Sequence, residues 1–96
     1  MKHDAVGFTI KVVIVQSPSS PIITLNVFGS DTIDNVKGQI QALFAIRPKD
    51  QRIIRGCRQI DEGTLHYHKV EKNDTLRMVS HLNLFLFVLF WIGLTV

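Results

Sequence analysis

The chain has 96 residues, room for one small domain whose apolar positions must nearly all serve its core. Its formal net charge of +3, from 11 Lys+Arg against 8 Asp+Glu, is scattered along the chain and forms no basic stripe, which argues against nucleic acid as a partner. A single cysteine, Cys57, excludes an internal disulfide and fits a reducing compartment, and the first residues lead into no apolar run of the secretory type.

Residues 1–7 are polar or small and read as an extension. Residues 8–15 are rich in β-branched types and predict a strand. The stretch 16–21, with two prolines and three serines, predicts a turn. Residues 22–28 alternate, placing Ile23, Leu25 and Val27 on one face, so the two strands form a hairpin.

A helix follows. Asp31 or Thr32 can cap it, and Asp34 puts a negative charge in its first turn. Ile33, Val36, Ile40 and Leu43 recur at helical spacing as one apolar face. Gly38 inside that stretch costs about 1 kcal/mol relative to alanine, and Arg47-Pro48 stops the helix.

Residues 51–55 read as a short strand, Gly56-Cys57-Arg58 as a turn and Gln59-Ile60 as its return. An irregular stretch opens at Gly63, Lys72-Asn73-Asp74 turns, and residues 75–79 form a closing strand with Leu76 and Met78 on one face. One helix among five strands predicts an α+β domain.

Four pieces carry a resemblance to a known family. They are Ser30-Asp31-Thr32-Ile33-Asp34-Asn35-Val36-Lys37 with Ile40-Gln41; Pro48 with Asp50-Gln51-Arg52-Ile53-Ile54; Gln59-Ile60-Asp61-Glu62-Gly63 with Thr64-Leu65; and Asp74-Thr75-Leu76. In order and spacing, apart from one missing residue near Gly63, they resemble ubiquitin. The resemblance implies a ubiquitin-like β-grasp, a mixed sheet wrapped around one helix, with an apolar C-terminal tail appended. It divides the chain into an extension over 1–9, a domain over 10–82 and a tail over 83–96.

In that fold Val13, Val15, Ile23, Leu25, Val27, Ile33, Val36, Ile40, Ile53, Ile60, Leu65, Val70, Leu76 and Met78 are expected to be buried, with no charged residue among them. Lys11 matches the buried methionine that opens the family's first strand. Ala45 matches a glycine that ends the family's helix, a position that wants positive φ.

The resemblance implies a binding surface and no catalytic residue, cofactor or small-molecule substrate. The partners it implies are proteins with ubiquitin-binding surfaces, met in the cytoplasm or nucleus. The family's apolar patch maps onto Ile54 and Val79, which keep its isoleucine and valine. Arg77 replaces a histidine, and Pro18 a leucine on the first hairpin turn. Lys37 and Lys72 fall on lysines that ubiquitin uses for chain linkage, although a solvated side chain is the simpler reading of both; Arg58 replaces the best-known one.

The family's modifiers are joined to targets through a C-terminal Gly-Gly. Here Leu84 and Phe85 stand at that place, and bulky side chains do not fit the narrow channel of an activating enzyme. A non-conjugated interaction module is therefore expected. A covalent modifier or precursor, and a degenerate copy with no specific partner, are the alternatives.

The run from Leu84 to Val96 is thirteen residues without a charge. As a helix it would span about 20 Å, against a hydrocarbon core of about 30 Å. It reads as a short membrane anchor, as a segment folded back over the domain, or as an accident of the gene model. Two other features carry little chemistry. His66-Tyr67-His68 offers two imidazoles with no acidic or cysteine partner spaced to complete a metal site. Cys57 lies among arginines in no recognisable nucleophile motif.

Overall fold

In a computed structural model, residues 6–15 and 20–80 are described. The elements are β1 (Phe8–Val15), β2 (Ile22–Val27), α1 (Ile33–Phe44), a 3-10 turn (Pro48–Asp50), β3 (Gln51–Arg55), β4 (Arg58–Ile60) and β5 (Thr75–Ser80). The five strands form one mixed sheet in the order β2-β1-β5-β3-β4. β1 pairs antiparallel with β2 and parallel with β5, and β3 is antiparallel to both β5 and β4. Such a sheet with α1 against one face is the expected β-grasp.

Local chemistry sets α1. Thr32 Oγ1 accepts a hydrogen bond from the Asn35 N–H (3.1 Å), and Asn35 Oδ1 accepts one from the Thr32 N–H (2.9 Å). This reciprocal box satisfies two N–H groups that would otherwise be orphaned at the helix start. Asp31 closes the preceding turn by accepting from the Phe28 N–H at 2.9 Å. The helix ends earlier than Arg47-Pro48 demands. Ala45 turns left-handed, at φ 59°, and its N–H donates to the Gln41 carbonyl at 2.7 Å.

Ile33, Val36 and Ile40 are fully buried beneath the sheet, but Leu43 is exposed, contrary to the helical spacing. Phe44, four residues after Ile40 and so on the same side of the helix, packs against the core instead. The remaining core comprises Leu25, Val27, Ile46, Ile53, Ile60, Leu65, Val70, Leu76 and Met78, with Ile23 packed at its edge.

β1 departs from expectation. Ile10, Val12 and Ile14 are its buried residues, with Phe8 partly buried, while Val13 and Val15 lie on the opposite face. Lys11 is exposed in phase with those two valines. It therefore does not occupy the buried opening position of the strand. That place belongs to Phe8, which pairs with Val27, and β1 takes in two residues ahead of the domain start expected at Ile10. Ions belong on the wet face of a half-buried strand, so Lys11 sets the phase.

The buried set also contains polar groups. Gln51 donates through Nε2 to the carbonyls of Lys37 (3.0 Å) and Ile46 (2.9 Å), tying β3 to the helix and to the segment that follows it. Lys37, read as a solvated side chain, is only 8% exposed. The loop 61–70 is fastened to the helix start by bonds from the N–H of Ile33 to Gly63 O and of Leu65 to Asp31 O.

Candidate functional site

Among the described residues, α1 covers one face of the sheet and the other, the open face, bears exposed and half-buried side chains. Strand alternation assigns Lys11, Val13 and Val15 of β1, Thr75, Arg77 and Val79 of β5, Arg52 and Ile54 of β3, Ile22 of β2 and Gln59 of β4 to that open face. Cross-strand register then arranges them in rows. Ile22, Val13, Arg77, Ile54 and Gln59 are successive partners across all five strands, and Val15, Val79 and Arg52 form the adjacent row.

Three of the expected patch residues therefore come together. Ile54 and Val79 are half-buried, and Arg77 is exposed directly opposite Ile54. Arg77 does not lie loose over the patch. Its Nη2 donates to the Gly56 carbonyl at 2.9 Å, which holds the guanidinium beyond the end of β3. Pro18, the fourth expected residue, lies outside the described residues, as does the whole tail from His81 to Val96.

Val13, Val15 and Ile22 were not anticipated here. They extend the apolar strip from Ile54 and Val79 across β1 to β2, where Ile22 is 63% exposed. Lys11, whose charge keeps it out of the core, carries the signal that Val13 and Val15 face outward with it. The ionised groups on this face are Lys11, Arg52 and Arg77, all positive, and no carboxylate stands among its strand residues. The apolar residues of the face thus run diagonally from Ile54 through Val79, Val15 and Val13 to Ile22, with Arg77 between Val13 and Ile54 and with Lys11 and Arg52 beside them, suited to an apolar partner surface that carries acidic groups.

The linkage lysines separate. Lys72 is exposed, whereas Lys37, within α1, is buried. Among the described residues no group of three His, Cys, Asp or Glu could hold a metal ion. His66 is exposed, and His68 is bound elsewhere, its Nε2 2.6 Å from the Glu62 carbonyl. Cys57 is an exposed free thiol.

A five-stranded mixed sheet in this order, holding one capped helix and leaving its other face as a half-apolar platform, defines a ubiquitin-like β-grasp protein. A family model described as the ubiquitin family matches residues 8–83, and the chain belongs to that family. The matched span takes in β1 to β5 and α1.

Proposed function

We propose that this protein is a non-catalytic interaction module that captures proteins through the open face of its sheet, with Ile54 and Val79 at the centre of contact and Arg77 beside them. The observation that carries this reading is the apolar strip formed by Ile54, Val79, Val15, Val13 and Ile22 beside three cations, with no carboxylate among the strand residues of that face. Burying such a strip favours association, and the cations favour partners with acidic groups. The extension over β1 and β2 broadens the contact beyond the family's usual patch. Leu84 and Phe85, in place of the two glycines, support a module that is not conjugated to targets. In this reading the domain works in the cytoplasm or nucleus, and the uncharged run Leu84–Val96 brings it to a membrane surface.

The test uses purified ubiquitin-binding domains titrated into the isotope-labelled full chain. Amide shifts should concentrate on β1, β3 and β5. Ile54→Ala should weaken binding by roughly tenfold or more, as expected for a central contact, while Tyr67→Ala, on another face, should not. Undiminished binding by both Ile54→Ala and Val79→Ala would overturn the assignment.

A further inference from the structure

Away from the open face, the ends of β3 and β4 and the loop after them enclose a cleft of about 350 Å³. It is lined by Arg55, Arg58, Ile60, Tyr67, His68 and Lys69. Arg55 and Arg58 are partners across the β3–β4 ladder, in phase with buried Ile53 and Ile60. The cleft thus opens on the helix side of the sheet, while Ile54 and its partner Gln59 point the other way. Three permanent cations line it and no carboxylate does.

The cations are unequally engaged. Arg55 is held in place, its Nη2 donating to the Lys69 carbonyl (3.1 Å) and to Asp74 Oδ2 (3.3 Å), while its Nε is buried with no hydrogen-bond partner. Arg58 and the Lys69 ammonium make no hydrogen bond or ion pair among the described residues. Lys69 is also one of three non-glycine residues at positive φ among the described residues, at 59°, fixed there by turn bonds from its N–H to His66 O and from the Val70 N–H to Leu65 O. An L-residue held in that region stores strain, and such outliers gather at functional sites.

The walls are specific as well. A carbonyl can only accept, so the bond to Glu62 O puts the proton of His68 on Nε2 and fixes the ring. Tyr67 stands edge-on to it, with ring centroids 5.1 Å apart, and is itself 74% exposed. Ile60 supplies an apolar surface beside the arginines.

We propose that this cleft binds a phosphomonoester carried on an aromatic ring. Two uncommitted cations match a dianion, and the planar fork of Arg58 matches phosphate oxygens. Tyr67 receives the ring, and the volume lies at the lower end of the range for small-ligand sites.

The experiment titrates the labelled full chain, in a non-ionic maltoside micelle, with phenyl phosphate. Saturable shifts at residues 55–69 are expected. Arg58→Gln and Lys69→Gly should each weaken binding by roughly tenfold, and Lys69→Gly should at the same time raise the melting temperature by releasing the strain. Ile54→Ala should leave the titration unchanged, which separates this site from the open face. A phosphotyrosyl peptide that binds more tightly than phenyl phosphate would place the group on a protein; the reverse would place it on a small molecule, and either supports the site. Equal shifts from benzoate at matched ionic strength, no saturation, or unchanged affinity in both variants would overturn it.

Discussion

Ile54 and Arg77 are partners across the β3–β5 ladder, and the arginine reaches past the isoleucine to donate to the Gly56 carbonyl at 2.9 Å. The apolar centre of the open face and its nearest cation are therefore fixed relative to one another by the sheet and by the β3–β4 turn. Arg77→Ala should lower stability by less than about 1 kcal/mol, since the bond is exposed. It should reduce partner affinity and flatten its salt dependence. Titrations at low and high salt, beside thermal melts, measure both effects.

Gly38 is solvent-exposed inside α1, and a Cβ there would meet nothing within 4 Å. Gly38→Ala should therefore stabilise the domain by about 1 kcal/mol, the helix-propensity difference. Urea denaturation should show a higher midpoint with an unchanged slope.

Ala45 ends the helix at φ 59°, where its Cβ is strained. Ala45→Gly removes that strain but frees the unfolded chain, so the net gain should be up to about 1 kcal/mol. Combined with Gly38→Ala it forms a swap that leaves the amino-acid composition unchanged. The pair should raise the melting temperature by several degrees.

Gln51 is 3% exposed and serves two carbonyls. Gln51→Leu should cost about 1–3 kcal/mol by withdrawing that donor. Gln51→Glu should cost more, because an ionised carboxylate has no N–H to give and would be buried. Equilibrium unfolding of the two variants tests the order.

The bulk at Leu84 and Phe85 predicts a chain that keeps its full mass in cells and yields no ladder of adducts. Intact-mass measurement and immunoblotting under denaturing conditions check this directly. Release of the residues after Phe85 together with a ladder would revive the covalent-modifier reading.

Much of the fold was legible because its signals are local. The Thr32 cap, the Ile33-Val36-Ile40 face and the positive φ at Ala45 each depend on a few neighbouring residues, and all are present. The phase of β1 was harder. Ile10 to Val15 is apolar at every position but Lys11, so alternation gives no contrast except at that residue. Matching Lys11 to a buried family position discarded the one informative charge. Leu43 was misplaced because its step of three from Ile40 carries it to the rim of the buried face, whereas Phe44, a step of four on, stays with Ile33, Val36 and Ile40.

Of the candidate surface, Ile54, Val79 and Arg77 were readable by resemblance, and the register unites them. Val13 and Val15 were lost with the β1 phase. The buried Lys37–Gln51 contact joins residues fourteen apart. The cationic cleft joins β3 to a loop residue likewise fourteen positions away through Arg55 and Lys69. Neither separation leaves a local pattern.

The middle of the sheet is built from the two ends of the domain, since β5 lies between β1 and β3. A polypeptide leaving the ribosome can form the β1–β2 hairpin and α1 early, but it lacks the strand that joins the hairpin to β3 until Thr75–Ser80 has emerged. Pairings so distant in sequence form late. Resistance of arrested nascent chains to protease should therefore appear in one step, when that last strand is out, and until then the β1 edge of the hairpin is an unpaired edge of the kind that aggregates.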